Sequence, residues 1–206
     1  MNNLELLTNR EVYKPNKVMA IDLDDTVLDL NGSLIEFHNL KYGTSLKYED
    51  IDSFDLAKIW GCTHEESIRR IEEFLNSNKE LKLIEGAFDA IFSLRNKYQL
   101  YIVTARPDFI EDSTIGNISS YFSEDTFENI FFTNHFYDKS RKKSEICRNI
   151  NADIFIDDSV NNVLDVYQNV GIKTFLMDRP WNHSIKNLPN EIERVFSWSD
   201  ILEKSL

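Results

Sequence analysis

Five short runs of aliphatic, β-branched and aromatic residues recur along the chain, and their spacing constrains the fold more than any other feature. They are KVMAID at 17–22, QLYIVT at 99–104, NIFFT at 129–133, DIFID at 153–157 and IKTFLM at 172–177. Each is shorter than a helix needs and rich in strand-forming residues, so each reads as a buried strand. The stretches between them carry helical spacing: Phe88, Ile91 and Leu94; Ile110, Thr114 and Ile118; Val163, Val166 and Val170, the last closed by Gly171 as a stop signal. Strand and helix alternate, which predicts an α/β fold: a Rossmann-like parallel sheet with helices on both faces.

The first two runs are separated by far more chain than one crossover helix requires. That interval, 29–85, has helix signatures of its own. Ser33 precedes Leu34, Phe37 and Leu40 with Glu36 three positions on, and Thr63 precedes Ile68, Ile71, Phe74 and Leu75 with Glu66 three positions on. Both patterns read as capping boxes. Residues 29–85 are therefore expected to form a small α-helical cap inserted after the first strand, with 1–28 and 86–206 making the α/β core. A last helix is expected around 191–196, with Trp198 and Ile201 as packing residues.

At 206 residues and 42% hydrophobic content, the chain can bury one ordinary core and a small accessory, not two full domains. Its two cysteines, Cys62 and Cys147, imply no disulfide framework. A net charge of -12 repels long nucleic acid, whose binding depends on many cations. One local exception is the run Lys139, Arg141, Lys142, Lys143 and Arg148, opposed only by Glu145, which could attract a small phosphate. No stretch approaches the run of about 20 apolar residues that a membrane helix requires, and the N-terminal residues lack a signal-peptide apolar block. The expectation is a soluble, cytoplasmic protein with no membrane partner.

The first run leads directly into Asp22-Leu23-Asp24-Asp25-Thr26-Val27, so two carboxylates alternate about one apolar residue at a strand's carboxyl end. In open α/β sheets that end is where ligands bind. The second run ends at Thr104, within TARP, and the fourth at Asp157-Asp158, preceded by Lys142-Lys143. Singly, each has a plain structural reading: a turn after a strand for the first acids, a helix cap for Thr104, ordinary loop acids for the pair and a solvated face for the lysines. Their joint placement after separate strands is harder to assign to chance. Cys62 and His64 suggest a zinc pair, but no second pair complements them at ligand spacing.

Taken together, Asp22-x-Asp24-x-Thr26, then Thr104, a lysine and an acidic pair resemble the four motifs of the haloacid dehalogenase (HAD) superfamily of phosphohydrolases. Within it, TARP, IDDS and the late Asp178-Arg179-Pro180-Trp181-Asn182 are most similar to the 5'(3')-deoxyribonucleotidases and their bacterial and phage relatives. Asp25 is a departure, since many members carry glycine there. The resemblance implies a sheet with the first strand central, the second on one side and the fourth on the other. It further implies a magnesium-dependent phosphatase acting on a small phosphorylated metabolite, with a (deoxy)nucleoside monophosphate as the leading case. Alternatives are a sugar-phosphate or other metabolite phosphatase, a phosphotransferase, and a catalytically silent binding protein on the same scaffold.

By the same resemblance Asp22 is the nucleophile, passing through an aspartyl-phosphate, and Asp24 the general acid and base. Mg2+ takes ligands from the Asp22 carboxylate, the Asp24 backbone carbonyl and the Asp158 carboxylate. Thr104, Ala105 and Lys143 bind phosphate, with Arg106 as a further contact, and Asp157 and Thr26 support them. Lys143 is preferred over Lys142 because it opens the helix carrying Ile146 and Ile150; the reverse assignment of Asp157 and Asp158 stays open. Of the aromatics in 29–85 (Phe37, Tyr42, Tyr48, Phe54 and Trp60), Phe54 and Trp60 lie outside the two clear helices and are the stacking candidates for a base. Trp181 is read as either packing or substrate-facing.

Overall fold

The computed structural model describes residues 14–53, 55–77, 80–135 and 140–206. Phe54 and Lys139, named above, lie outside the described residues. The strands are β1 (Lys17–Ile21), β2 (Tyr98–Thr104), β3 (Asn129–Phe132), β4 (Ile154–Asp157), β5 (Lys173–Met177) and β6 (Ile192–Val195). They form one sheet in the order β3-β2-β1-β4-β5-β6, and every neighbouring pair is parallel. The five expected strands are present to within a residue or two of their expected bounds. β1 lies between β2 and β4, so the chain reverses its direction of travel across the sheet at β1, and the crevice beyond the carboxyl ends of these three strands is the switch point.

Alternation along the strands divides the core into two layers. Met19 and Ile21 of β1 point into one, with Leu100, Ile102, Ile154, Ile156 and Phe175. That layer is covered by α4 (Ala87–Leu94), α5 (Glu111–Ser119) and α8 (Trp198–Ser205) through Ile91, Leu94, Ile118, Trp198 and Ile201. Val18 and Ala20 point into the other, with Val103, Phe155 and Leu176, beneath α6 (Lys143–Asn149) and α7 (Val160–Val170). Burial on both faces is why the strands read as unbroken apolar runs.

Between β1 and α4 lie α1 (Leu30–Tyr42), a 3₁₀ turn at Tyr48–Asp50, α2 (Leu56–Trp60) and α3 (His64–Leu75). The start of α1 differs from expectation. Asp29 caps it by accepting the Gly32 N–H at 3.0 Å, so the helix begins before Ser33, which is buried in its second turn. The carboxylate sits so close that a Cβ at Gly32 would force the capping side chain to shift. Thr63 does cap α3, accepting from the Glu66 N–H at 3.2 Å; the Glu66 carboxylate is drawn instead to Arg69 and Arg70. α2 is a single turn that sequence spacing did not reveal.

The C-terminal expectation is corrected. Residues 192–195 form β6, with Ile192 and Val195 buried, and the last helix begins only at Trp198. Pairing with β5 extends the sheet, and a reciprocal cap between Ser197 and Asp200 starts α8 after it. Among the described residues no helix is long and apolar enough to cross a membrane.

Candidate active site

Every sequence-predicted site residue except Phe54 lies among the described residues. The Asp22 N–H bonds to the Ile156 carbonyl at 2.8 Å, extending the β1–β4 ladder by one step and fixing where the Asp22 side chain leaves the sheet. The chain then folds back on itself: the Val27 and Leu28 N–H groups both bond to the Leu23 carbonyl at 2.9 Å, and the Asp25 N–H to the Leu28 carbonyl at 2.7 Å. Asp25 adopts φ +56°, the left-handed region that favours glycine and that Asp tolerates better than most side chains. Its carboxylate accepts from the Asn31 N–H at 3.0 Å and the Asn31 side-chain amide at 2.7 Å. The departure from glycine thus gains a use, because the acid ties the loop to α1. Burial pushes the Asp25 carboxyl well above the usual carboxylate range.

The ionic centre comprises three buried acids, Asp22, Asp157 and Asp158, and one ammonium that bonds the first two. Lys143 Nζ, on the first residue of α6, donates to Asp22 Oδ1 at 2.5 Å and to Asp157 Oδ2 at 2.7 Å. Lys142 is exposed and reaches Asp165 instead, so the geometry separates the two lysines. Asp157 is saturated: besides Lys143 it accepts from the Ser159 N–H at 2.7 Å and from the Asn162 amide at 3.1 and 3.2 Å. Asp158 accepts from the indole N–H of Trp181 at 2.6 Å through Oδ2. Asn182 braces the same acid, donating to the Asp158 carbonyl and to the Met177 carbonyl, both at 2.8 Å.

Asp22, Asp157 and Asp158 each offer a carboxylate oxygen, and these oxygens lie within 4.8 Å of one another. Burial pushes the Asp22 carboxyl well above its ordinary range; Lys143 pulls it back, and Asp157, Asp158 and Asp24 push it further up. Asp158 is raised to about 8, by burial first and then by Asp157 and Asp25. Burial works against the Lys143 charge, yet Asp157 and Asp22 outweigh it and hold the ammonium above the ordinary lysine range. Three buried acids share one ammonium, so their full ionisation calls for further positive charge, and an all-oxygen donor set of this kind suits a hard divalent cation such as Mg2+.

Around this centre, Thr104 is fully buried at the end of β2, and its Oγ1 accepts the Arg106 N–H at 3.1 Å. With an acceptor site so occupied, the hydroxyl proton can be directed at an incoming oxygen. Ala105 follows, its carbonyl accepting from the His135 N–H at 3.2 Å. Asp24 is the most open of the acids, with a side chain 18% exposed. Arg106 is turned to Asp24, donating through Nη2 to Oδ1 at 2.7 Å and through Nε to Oδ2 at 2.9 Å. The Thr26 hydroxyl is buried without a hydrogen-bond partner among the described residues, while its carbonyl accepts the Trp198 indole N–H at 2.9 Å.

The residues that sequence reasoning did not commit to lie at the junction with 29–85. Trp181 packs with Ile35, Ile51, Leu46, Tyr48, Leu56 and Ile59 in a third apolar cluster, and Tyr48 meets its ring edge-on at 5.8 Å between centroids. Burial, followed by the charge of Asp25, raises the Tyr48 hydroxyl above its ordinary range. Trp60, by contrast, stacks on His38 at 4.5 Å and packs against the main core, so one of its faces is already covered. The available signal was the cluster DRPWN itself, whose Arg179, Trp181 and Asn182 all turn back towards the acidic loops.

Strand order, crevice and acid–lysine centre together define a HAD-like hydrolase fold. A haloacid dehalogenase-like family hydrolase from Streptococcus pneumoniae superposes with a TM-score of 0.66 at 15% identity, covering 92% of this chain and 98% of that one. The HAD-hydrolase YfnB from Bacillus subtilis, solved bound to magnesium, superposes at 0.62 with 18% identity, covering 93% and 99%. The chain belongs to the 5' nucleotidase, deoxy (pyrimidine), cytosolic type C protein family, whose model matches residues 16–205. Among curated relatives, the 5'(3')-deoxyribonucleotidase of Bacillus subtilis is 29% identical over 196 residues, covering 92% of this chain and 99% of that protein. The protein is a phosphoric monoester hydrolase of the HAD superfamily.

Proposed function

We propose that this enzyme hydrolyses (deoxy)nucleoside monophosphates to nucleoside and inorganic phosphate, with Asp22 as nucleophile and Asp24 as general acid and base. The observation that carries this reading is the charge imbalance at the strand ends: three buried carboxylates with oxygens within 4.8 Å, one ammonium between two of them, and a fourth acid, more exposed, two residues from the first. A nucleotide substrate is supported by the family and by the deoxyribonucleotidase relative.

Asp22 and Asp158, with the Asp24 backbone carbonyl, would hold Mg2+, while Asp157, already saturated, holds Lys143. When bound, the ion supplies charge neutralisation for a doubly anionic phosphate facing a carboxylate nucleophile. The chain's own groups then divide the work. An Asp22 oxygen attacks phosphorus as the bond to the leaving oxygen breaks, and Asp24 gives its proton to the departing alkoxide. Water next attacks the aspartyl-phosphate, its proton goes to the Asp24 carboxylate, and the bond from Asp22 to phosphorus breaks to release phosphate. Thr104, the Ala105 N–H and Lys143 bind the transferring group, so positioning and electrostatics supply most of the rate. Residues 29–85 act as a cap, and its Tyr48 packs edge-on against Trp181, the donor to Asp158.

Turnover of a panel of deoxyribonucleoside and ribonucleoside monophosphates against sugar phosphates, with Mg2+ or with EDTA, tests the reading. Mg2+-dependent preference for nucleotides is expected; faster hydrolysis of sugar phosphates would reassign the substrate. Asp22→Asn should lose at least about a thousandfold in turnover while keeping its melting temperature. Substantial residual activity in that variant would remove Asp22 from the nucleophile's role.

A further inference from the structure

Arg106 turns all three of its guanidinium nitrogens to partners within the protein. Its side chain is 4% exposed. Nε and Nη2 grip the two oxygens of Asp24, and the remaining nitrogen, Nη1, donates to Thr114 Oγ1 at 3.1 Å. Thr114 is itself fully buried in α5 and donates its hydroxyl to the Ile110 carbonyl at 2.9 Å, so it is fixed as an acceptor for Arg106. The backbone on either side is pinned as well, by the bond from Arg106 N–H to Thr104 Oγ1 and by the Asn134 N–H on the Arg106 carbonyl at 3.3 Å. Each of the three guanidinium nitrogens is thus engaged within the protein.

We propose that Arg106 is the positioning residue of Asp24, a clamp braced by Thr114 that fixes the plane of the carboxyl group so that it can both give and take a proton without rotating. This rests on the assignment of Asp24 given above. A carboxylate oxygen has two lone-pair sites, and a protonated carboxyl keeps acceptor capacity beside its O–H. A fork of two N–H groups can therefore occupy one lone pair on each oxygen while the proton comes and goes on another, outward-facing one. A single freely rotating carboxylate would have to find its aim at each half-reaction; the planar guanidinium removes that freedom, which a lysine's point charge would not.

A residue that acts only through the general acid has a signature that a phosphate contact lacks: its loss matters in proportion to how much the leaving group needs a proton. The test compares kcat/KM, at saturating Mg2+, for a deoxyribonucleoside 5'-monophosphate and for 4-nitrophenyl phosphate, whose leaving group departs without protonation. In Asp24→Asn the nucleotide should suffer about a hundredfold or more and the aryl ester less than about tenfold. Arg106→Gln should reproduce that pattern with KM little changed, Arg106→Lys should recover only part of the loss, and the double variant should be no worse than Asp24→Asn alone. Equal losses on both substrates, or a rise in KM without a fall in kcat, would overturn the clamp in favour of a direct phosphate contact; an unaltered Arg106→Gln enzyme would overturn it outright. If Asp24→Asn itself shows no dependence on the leaving group, the assignment of Asp24 fails and the clamp with it. Should Arg106→Gln not fold, Thr114→Val decides alone: removing one brace should shift the ratio between the two substrates in the same direction by about threefold to tenfold, and an unchanged ratio would overturn the proposal.

Discussion

Lys143 and Lys142 are neighbours of the same type, yet their environments give opposite expectations. Lys143 is the cation shared by Asp22 and Asp157, with side chains 3%, 7% and 0% exposed. Truncation to alanine leaves buried acids facing one another, an uncompensated arrangement that costs about 3–5 kcal/mol. Lys143→Ala should accordingly be inactive and visibly destabilised in urea melts without Mg2+. Lys142 pairs with Asp165 at the surface, where an ion pair is worth roughly 0–1 kcal/mol, so Lys142→Ala should match the parent in both assays. The opposite ranking would reassign the motif lysine. Trp181 is the other informative residue: Trp181→Phe keeps an aromatic ring in the apolar cluster but removes the donor to Asp158 Oδ2. Losing such an outer partner typically weakens metal affinity by about 10–100-fold. Titration calorimetry with Mg2+ should show that loss, and unchanged affinity would mean that Asp158 is held well enough by Asn182 and the backbone.

At the scale of elements, Ser197 joins the last strand to the last helix. Its side chain accepts the Asp200 N–H at 3.2 Å while the Asp200 carboxylate accepts the Ser197 N–H at 3.1 Å. Ser197→Ala should cost about 1 kcal/mol, a drop of about 2–4 °C in melting temperature for a chain of this size, with kcat/KM unchanged; a change in kcat/KM would show that the cap also steadies Trp198 against the Thr26 loop. This is the region that sequence reasoning misread, and the cause is physical. Ile192 and Val195 are three apart, a spacing that serves a helix as readily as the buried ends of a four-residue strand, and only pairing with β5 decides between them. Ser33 misled for a similar reason, because Asp29 offered a better-placed cap four residues earlier. The motif residues were legible because strand ends are punctuated by the acids and threonine themselves. What was not legible was which partner each polar side chain would take. Arg106 is followed by Pro107 on a loop, and nothing local shows that the guanidinium turns to Asp24, 82 residues away in sequence. Trp181 could not be given a role because its partner, Asp158, meets it only once β4 and β5 are paired.

For the whole molecule, the concentration of buried acids has a consequence in pH. A carboxyl in an unfolded chain titrates near pH 4, whereas burial raises Asp22, Asp158 and Asp25 in the folded protein, Asp158 to about 8. Between those limits the native state holds protons that the unfolded chain has released, so by linkage stability falls as pH rises through the window. A divalent cation reverses the balance for Asp22 and Asp158, because it binds the ionised form of acids gathered only by folding, and its contribution grows as protons leave. Asp25 stands apart from the three-acid group and is spent on Asn31, so its share of the slope should survive metal binding. The metal-stripped protein is therefore expected to lose melting temperature steadily from about pH 5 to about pH 8, at roughly 2–4 °C per kcal/mol. Saturating Mg2+ should add little at the acidic end and most at the alkaline end, flattening the profile without levelling it. Scanning calorimetry across that range, with EDTA and with Mg2+, reads both slopes at once. An EDTA profile that rises with pH, or an Mg2+ increment equal at both ends, would mean that these acids are not the ones that take the ion.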